Sequence, residues 1–547
     1  MISVSERVAT VLAAHVSDAF GVMGNGNVHL IDALTRTPVR FTAVRHETAS
    51  VAAADAYHRT SRRIAVATTT YGPGYTNALT ALAEAALAHT PLVLIVGDAP
   101  SAGPRLWDID QIGAARALGV TTFVVDATTP GKITSNALTH ALRYRTPVVL
   151  AIPYDVGTLV ADPEELVAAT GPKPLVPDPD DIEVAAQALV HARRPLILAG
   201  RGARDARKSL FAIADALGAL TVSSAPARGT FAGRARDLGV SGGFASERTA
   251  TLAHSADVVL VVGASLNQFT TSFGDFFSAQ ATVIQVDIAE AATNALVSIF
   301  VRGDANLTLA ALQESVAVTA GNRLGDTWPG VSPADIAGAH NEREAGNAIA
   351  ADGRLDPRSL TRRLDGILPA DRLVVSDGGH FIGWANTYFE LPAPDSIVLV
   401  GTAFQAIGLG IPSAVGAAVA CPDRTIVVVT GDGGGLMGIA DLDSLVRAAQ
   451  RAIVIVFNDA AYSAEVHQYG SQGLDTAAML INEVSFAAMG EAVGAQSVIV
   501  RTLDDLATLE SWLANGAAGT FVVDCRSSGS VVAPYMREIM EKSGIRR

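Results

Sequence analysis

Cysteine is nearly absent from this chain, and so is any excess of positive charge. The 547 residues include two cysteines, Cys421 and Cys525, which cannot form a disulfide framework and favour a reduced, cytoplasmic setting. Only 17% of residues are charged, the formal net charge is −14, and no basic stretch occurs, which argues against a nucleic-acid partner. The N-terminus (MISVSERVATVLAAHV) lacks a basic region before an apolar core, so we expect no signal peptide.

Long uncharged runs are rare, and the one at residues 397–421 could be mistaken for a membrane helix. It is long enough to span a bilayer. It is nevertheless rich in glycine, contains Gln405 and Pro412, and has no basic flank. We therefore expect a buried strand–loop–helix and no association with a membrane.

Short apolar runs alternate with helix-like stretches along the whole chain, which is typical of parallel α/β units. Proline-bearing polar segments at 171–181 and about 316–357 divide the runs into three sets. The predicted strands are FTAV (41–44), IAVATT (64–69), PLVLIVG (91–97) and PVVLAI (147–152); PLILAG (195–200), DVVLVVG (257–263) and TVIQVD (282–287); RLVVSD (372–377), TIVVVT (425–430), AIVIVF (452–457) and TFVVDC (520–525).

The fold class predicted from this pattern is α/β, with three doubly wound domains that each contain a parallel sheet. Their predicted limits are 1–165, 182–315 and 356–530. Residues 531–547 are polar and are expected to form a tail or a lid.

Two acidic residues follow neighbouring predicted strands at the point where each strand ends. Asp432 lies in the Gly-Asp-Gly sequence after TIVVVT, and Asp459 follows AIVIVF and Asn458. Because consecutive parallel strands end at the same edge of a sheet, the two carboxylates are expected to lie close together. Oxygen ligands beside a glycine-rich loop that leads into a helix suit Mg²⁺ and a diphosphate.

With these residues the chain resembles the thiamine-diphosphate (ThDP) enzymes of the acetolactate synthase, pyruvate oxidase and pyruvate decarboxylase superfamily, and acetolactate-synthase-like proteins most closely. All three domains and their motifs occur in the family's order. The family's metal motif is GDG followed later by Asn-Asn, and Asp459 replaces the second Asn here. The resemblance implies that Asp432, Asp459 and the carbonyl of Ala461 hold Mg²⁺. It also places four residues beside the diphosphate: Gly431, Gly433, Gly434 and Tyr462.

Two further segments resemble the family's catalytic elements. Glu47, directly after the strand FTAV, matches the glutamate that hydrogen-bonds N1′ of the aminopyrimidine and promotes loss of the thiazolium C2 proton. The segment 401–412 resembles the one beneath the bent cofactor. It implies that Ile407 is the apolar wedge between the rings and that the Gln405 carbonyl accepts from the 4′-amino group.

Two glycine-rich loops resemble other cofactor-binding segments of the family. The loop with Gly72 and Asn77 matches the one that approaches the pyrimidine, and the loop with Gly379 and His380 matches the one that reaches the diphosphate. Because His380 takes the place of a Gln, either a phosphate contact or a packed or solvated histidine is compatible with the sequence.

The family also predicts the assembly. Its pyrimidine and diphosphate sites usually come from different chains, so we expect a homodimer or a homotetramer with active sites between chains. The middle domain holds FAD in acetolactate synthases, but the arginine expected near VGASLN (262–267) is absent, and FAD is not favoured.

Few residues of the sequence indicate which reaction such an enzyme would catalyse. No histidine occurs in 105–120, near the place of a proton-transferring pair in pyruvate-decarboxylase-like relatives, so simple aldehyde release is disfavoured. Glu465 falls where those decarboxylases have a catalytic Glu, and Gln111 approximately where acetolactate synthases have a Gln near the substrate; a structural role is the alternative for each. The substrate-pocket candidates are Asn25, Gly26, Asn27, His29 and His467.

The resemblance therefore implies a ThDP- and Mg²⁺-dependent enzyme that decarboxylates a 2-oxo acid and ligates the resulting enamine to a carbonyl acceptor. The first alternative is a C–C lyase for 2-hydroxyacyl substrates, of the 2-hydroxyacyl-CoA or benzaldehyde lyase type. A basic pocket in the middle domain, where Arg201 and Arg204 are suggestive, would favour the CoA substrate. The second alternative is an inactive regulatory subunit of the same fold.

Overall fold

Three parallel six-stranded sheets account for the apolar runs of the sequence. The computed structural model describes residues 1–320 and 328–542. Its strands are β1 (Asp18–Gly21), β2 (Arg40–Ala43), β3 (Ala65–Thr69), β4 (Leu92–Asp98), β5 (Thr121–Val124), β6 (Val148–Pro153), β7 (Pro195–Ala199), β8 (Leu220–Ser223), β9 (Asp237–Val240), β10 (Val258–Val262), β11 (Thr282–Asp287), β12 (Val297–Arg302), β13 (Leu373–Ser376), β14 (Ile397–Leu399), β15 (Ile426–Gly431), β16 (Arg451–Phe457), β17 (Gln496–Val500) and β18 (Gly519–Cys525).

Helices flank these sheets. They are α1 (Val4–Ala13), α2 (Val28–Thr35), α3 (Glu47–Ser61), α4 (Pro73–Leu87), α5 (Gln111–Ala117), α6 (Pro130–Tyr144), α7 (Pro179–His191), α8 (Arg207–Leu217), α9 (Glu247–His254), α10 (Ala305–Ala320), α11 (Pro333–Asn341), α12 (Pro357–Ile367), α13 (Ile382–Tyr388), α14 (Gly410–Ala420), α15 (Asp432–Met437), α16 (Leu442–Ala448), α17 (Ser463–Glu465), α18 (Phe486–Ala492), α19 (Ala507–Ala514) and α20 (Pro534–Lys542).

The strand order confirms the predicted fold class of three α/β domains. The sheets run β2-β1-β3-β4-β6-β5, β12-β11-β10-β7-β8-β9 and β14-β13-β15-β16-β18-β17. The eleven strands predicted by range all form, the strand expected at the start of 397–421 is β14, and six further strands occur in the described residues. Four of the six (β5, β9, β12 and β17) lie at sheet edges, and the other two, β1 and β8, have only four residues each. Three of the edge strands, β5, β12 and β17, are partly exposed, so they lack the continuous apolar run that marks a strand covered on both faces.

The segments between and after the sheets are partly helical. The predicted break at 316–357 contains the end of α10 and all of α11, and its residues 321–327 lie outside the described residues. In the predicted tail, α20 is a packed helix with Tyr535 and Met536 buried, whereas 543–547 lie outside the described residues. The predicted domain limits stay a prediction.

The uncharged run at 397–421 forms strand β14, a loop and helix α14. Across 1–320 and 328–542, no helix has both the length and the apolar character that crossing a bilayer requires.

The first and third domains meet where helices α3 and α14 pack through small side chains. The carbonyl of Ala53 in α3 lies so close to Gly416 in α14 that an added Cβ at 416 would overlap it. Buried charges strengthen the same contact. Arg59 donates to Asp55 and Glu84 and to the Leu399 carbonyl (2.7 Å). The second oxygen of Glu84 accepts from the backbone of residues 403 and 404, so the first domain fixes the start of the 401–409 loop.

We expect Gly416→Ala to destabilise this contact by about 1–3 kcal/mol or more, because overpacking forces the two backbones apart. Gly366→Ala is the matched control. Gly366 also lies in a helix, α12, but nothing lies within 4 Å of a Cβ built there. The control should be neutral or stabilising by about 0.5–1 kcal/mol. Thermal unfolding midpoints measure both, and equal midpoints for the two variants would refute the packing argument.

His340, in α11, lies between carboxylates of two domains. Its Nε2 is 3.6 Å from Glu390 Oε2 and its Nδ1 is 3.7 Å from Asp237 Oδ2. Glu390 and, less strongly, Asp237 raise the pKa of His340 although burial opposes them. Stabilisation by protonated His340 is therefore complete below its unfolded pKa of about 6.5 and is lost as the pH rises through the raised folded value.

We expect His340→Gln to lower the unfolding midpoint more at about pH 6 than at alkaline pH above the raised folded pKa, where the wild-type ring loses its proton. His191→Gln is the control, because the His191 ring contacts the Gln187 carbonyl rather than a carboxylate. A loss for His340→Gln that does not change with pH would contradict the expectation.

Candidate active site

The predicted carboxylate pair forms at one edge of the third sheet. β15 and β16 are parallel neighbours with Gly431 opposite Phe457, so Asp432 and Asp459 follow at the same end. Asp432 is buried, and its Oδ2 accepts from the backbone N–H of Ala460 (2.7 Å). Asp459 Oδ2 accepts from the Ser463 hydroxyl (2.6 Å). The two loops are therefore tied to each other through Asp432.

The electrostatics of this pair favour a cation. Burial raises the pKa of Asp432 to about 6. Burial, followed by the negative charge of Asp432, raises the pKa of Asp459 to about 7. A divalent cation would relieve that repulsion. Two carboxylates completed by carbonyl, water and ligand oxygens are an arrangement that suits Mg²⁺. In the described parts of the chain, no cluster of three or more acidic, histidine or cysteine side chains could hold a metal.

The glycines after Asp432 leave no space for side chains. A Cβ on Gly433 would lie 2.5 Å from Tyr462 Cε1, and one on Gly434 would lie 3.0 Å from Asp377 Oδ2. Tyr462 thus packs directly on the Gly-Asp-Gly turn. Glycine is therefore required at both positions because Tyr462 and Asp377 occupy the space that a side chain would need.

Asp377, which was not among the predicted site residues, organises the loops around this turn. It is buried, and burial raises its pKa to about 6. Its carboxylate accepts from the N–H of Gly408 (3.1 Å) and from the Thr430 hydroxyl (3.2 Å). Ile407 lies beside this loop, because a Cβ on Gly378 would be 3.4 Å from its Cγ2. Gln405 adopts a left-handed conformation (φ 63°) that turns the backbone before Ile407.

In the first domain, Glu47 is the first residue of α3, and Asn77 Nδ2 donates to its Oε2 (3.1 Å). Asn77, predicted in a loop, lies instead in the first turns of α4, directly after the turn at Gly72, because Pro73 starts the helix there. Gly72 has φ 61° and precedes Pro73, the first residue of α4. Glycine allows that left-handed turn, and proline suits the first helical position.

The side chain of Gln111 fixes the turn at Gly72 through hydrogen bonds. It is buried, its Oε1 accepts from the N–H of Gly72 (2.7 Å), and its Nε2 donates to the carbonyl of Gly97 (2.9 Å) and to Asp98 Oδ1 (3.2 Å). Both amide hydrogens are thus used within the protein. Its predicted contact with the substrate stays a prediction, whereas its contact with the loop is observed.

The substrate-pocket candidates of the first domain divide into two groups. Asn27 is buried and bonds to Gly24 N–H, the Val22 carbonyl and Thr68. These bonds shape the 21–27 turn. Asn25, Gly26 and His29 are at least partly exposed; Asn25 donates to the Tyr71 hydroxyl (3.1 Å), and the Gly26 N–H donates to Thr70 Oγ1 (2.9 Å).

The third-domain candidates gather near the diphosphate loop. Glu465 is exposed at the end of α17. The rings of His467 and His380 lie 4.6 Å apart, and His467 Nε2 is buried without a hydrogen-bond partner among the described residues. His380 is buried; burial and, less strongly, His467 lower its pKa to about 3, so the ring is neutral.

Family models match all three domains. The N-terminal TPP binding domain of thiamine pyrophosphate enzymes matches residues 2–114, the central domain matches 182–312, and the C-terminal TPP binding domain matches 377–525. The chain belongs to the thiamine pyrophosphate enzymes. The first and third domains are therefore ThDP-binding domains, and the protein is an enzyme of the ThDP-dependent class.

Several ThDP-dependent relatives are similar over most of their length. The chain is 28% identical to sulfoacetaldehyde acetyltransferase of Rhodobacter capsulatus (98% of this chain, 96% of the relative). It is 27% identical to pyruvate oxidase of Lactiplantibacillus plantarum (90% and 82%) and 29% identical to the acetolactate synthase isozyme 2 large subunit of Escherichia coli (82% and 81%). The thiamine-diphosphate-dependent 4-hydroxybenzoylformate decarboxylase of Rhodococcus jostii has the same fold, with a TM-score of 0.79 at 22% identity, covering 96% of this chain and 99% of that one.

Gln111→Ala should weaken ThDP binding indirectly, because the Gly72 N–H and the Gly97 carbonyl would lose their buried partner. The expected cost is about 1–3 kcal/mol. Gln111→Glu is the matched variant; it keeps the acceptor for Gly72 but places a carboxylate against the Gly97 carbonyl and Asp98, so we expect a loss at least as large. Thermal unfolding and ThDP titration measure both effects, and an unchanged Gln111→Ala variant would show that the loop does not depend on this amide.

Proposed function

We propose that this ThDP enzyme is Mg²⁺-dependent, decarboxylates a 2-oxo acid and transfers the acyl fragment to a carbonyl acceptor. The observation that supports the proposal is the Asp432–Asp459 pair at the ends of two neighbouring strands, together with Glu47 bonded to Asn77 in the first domain. An inactive regulatory subunit would not require these groups.

Each group has a distinct task. Asp432, Asp459 and the Ala461 carbonyl would hold Mg²⁺ against the diphosphate, with Gly433 and Gly434 giving the phosphates access to backbone. Bound ThDP supplies the carbon nucleophile and accepts the electron pair that decarboxylation releases.

Glu47 would exchange a proton with the pyrimidine nitrogen. The Asn77 amide holds one carboxylate oxygen, which fixes the orientation of the other. Ile407, beside the diphosphate loop, would pack as an apolar wedge between the two rings of the bent cofactor.

Transfer rather than release as free aldehyde has two supports. Residues 105–120 contain no histidine, so Glu465 is the acid–base candidate on the loop after the metal site. Relatives named acetyltransferase and acetolactate synthase catalyse transfer or ligation by name. We assign to Glu465 the transfer of a proton to the acceptor's carbonyl oxygen as the new carbon–carbon bond forms.

The site should form between two chains. In a single chain Ile407 is 37% exposed, Phe404 45% and Met437 57%, although all three lie beside the cofactor loops. Glu47 and Asn77 are also accessible to solvent. A second copy that covers these residues would exclude water from the reaction, and a homodimer is therefore the minimum assembly that we propose.

The test of the reaction is NMR of the Mg²⁺–ThDP enzyme with ¹³C-labelled pyruvate, with Glu47→Gln as the control. Acetolactate or acetoin would support decarboxylation with transfer. Free acetaldehyde as the sole product would exclude the transfer step, and no turnover would exclude pyruvate as the donor.

A cavity between the domains favours a second candidate, a lyase that acts on CoA thioesters. Its volume is about 1340 Å³, and it is lined by seven basic residues (Arg59, Arg143, Arg145, Lys173, Arg201, Arg204 and Arg302) and three acidic ones (Asp287, Glu290 and Asp304). Burial and neighbouring guanidinium groups lower the pKa values of Arg201 and Arg204 to about 10. Arg204 Nε is buried without a described partner. Guanidinium groups that lie this close together offer positive charge and hydrogen-bond donors to phosphate groups.

Calorimetric titration with CoA and with FAD separates these possibilities. CoA binding that weakens in an Arg201→Gln, Arg204→Gln double variant would support the lyase. FAD binding would instead assign the cavity to a flavin, and binding of neither would leave the 2-oxo acid reaction as the sole candidate.

A further inference from the structure

The C-terminal helix α20 is packed against the loop that the family uses at the diphosphate. Tyr535 is buried, and its hydroxyl lies 3.0 Å from the Gly379 carbonyl and 3.2 Å from the His380 carbonyl. The helix approaches so closely that a Cβ on Gly383 would lie 2.8 Å from the Tyr535 ring. Residues more than 150 positions apart in sequence therefore fix one short loop.

The segment just before α20 makes a specific contact with the His380 side chain. The backbone N–H of Ala533 donates to His380 Nε2 (2.9 Å), and both residues are buried. A ring nitrogen that accepts a hydrogen bond carries no proton, so the proton of the neutral ring must be on Nδ1. Nδ1–H is then the only donor of the ring.

The same helix reaches the middle domain. The Tyr535 ring packs on Phe244 (5.4 Å between centroids) and Phe269 (6.1 Å), and Lys542 pairs with Asp275. α20 therefore contacts both the third domain and the middle domain. These contacts fix the direction of the Ala533 N–H relative to His380.

We propose that the Ala533 N–H selects the Nδ1–H tautomer of His380 and that Tyr535, through the Gly379 and His380 carbonyls, positions this loop for the cofactor's diphosphate. The inference rests on the proposed function, because it needs ThDP at the third domain. It assigns the predicted tail a part in cofactor binding.

The first test is the tautomer itself, measured by ¹⁵N NMR of the ligand-free protein labelled at histidine. We expect His380 to be neutral with its proton on Nδ1. A proton on Nε2 would overturn the proposal whatever the activity of the enzyme.

The second test is ThDP affinity in Mg²⁺ buffer, measured by calorimetry. Tyr535→Phe removes one hydroxyl and should raise the Kd about two- to tenfold, the range for one hydrogen bond. Tyr57→Phe is the matched control, because its buried hydroxyl donates to Asp18 (2.7 Å) in another domain and should not affect the Kd. His380→Asn keeps an N–H near the position of Nδ1 and should bind better than His380→Leu.

The outcomes distinguish failure of the proposed function from failure of the proposed role of α20 and His380. If the wild type does not bind Mg²⁺–ThDP, the proposed function fails. If the wild type binds and both Tyr535→Phe and His380→Leu bind equally well, only the role of α20 and His380 fails.

Discussion

Glu47→Gln is expected to lower turnover by about 10²–10⁴-fold, the usual contribution of a positioned acid–base group. Glutamine has nearly the same shape and can keep the bond from Asn77 through its carbonyl oxygen, but it cannot exchange a proton with the pyrimidine. ThDP affinity should therefore change little, since the proposed Mg²⁺ and diphosphate contacts lie in the third domain.

Hydrogen–deuterium exchange at thiazolium C2 measures this step without knowledge of the substrate. The wild type should exchange the C2 proton rapidly and Glu47→Gln slowly, with Glu47→Asp between them. Exchange at the wild-type rate in Glu47→Gln would remove Glu47 from the acid–base role.

Asp432→Asn and Asp459→Asn should differ sharply although the chemical change is the same. Both carboxylate oxygens of buried Asp432 accept from backbone N–H groups, those of Gly433 (2.8 Å) and Ala460 (2.7 Å), so the NH2 of an asparagine would face a donor. We therefore expect Asp432→Asn to weaken Mg²⁺-dependent ThDP binding by at least about 100-fold, beyond the 10–100-fold typical of outer-shell partners. Asp459→Asn recreates the family's Asn-Asn motif, keeps an oxygen ligand and removes the repulsion that raises the pKa of Asp459. It should bind nearly as well as the wild type.

Calorimetry with ThDP, with and without Mg²⁺, compares the two variants. Equal losses in both would show that the charge of the pair, rather than the position of Asp432, determines affinity. If neither loses affinity, the metal is held elsewhere.

A mixture of Glu47→Gln and Asp432→Asn chains tests whether the site is shared. If each site combines Glu47 of one chain with Asp432 of another, a mixed dimer has one intact site and activity returns on mixing. If each site lies within one chain, every site in the mixture carries one of the two substitutions and no activity returns.

The sequence predicted those features that depend on local pattern. The central strands and the Asp432–Asp459 pair follow from apolar runs whose ends coincide at one sheet edge. Edge strands such as β12 and β17 were not predicted, because one side of each is only partly covered.

Contacts between distant segments leave no such pattern. The role of Asp377 in binding Gly408 and Thr430, the amide of Gln111 beneath Gly72, and the bond from Ala533 to His380 depend on tertiary packing. The family resemblance pointed to the His380 loop, but it could not indicate which ring nitrogen carries the proton.

The contact between α3 and α14 has a consequence for protein engineering. Because the Ala53 carbonyl occupies the space that a side chain at Gly416 would need, the two helices are complementary to each other and not to any helix of similar hydrophobicity. A chimaera that takes its first domain from a relative must take that relative's α14 as well, or retain glycine and alanine at the two crossing positions. Recombination breakpoints for hybrid enzymes should therefore keep these two helices from one parent.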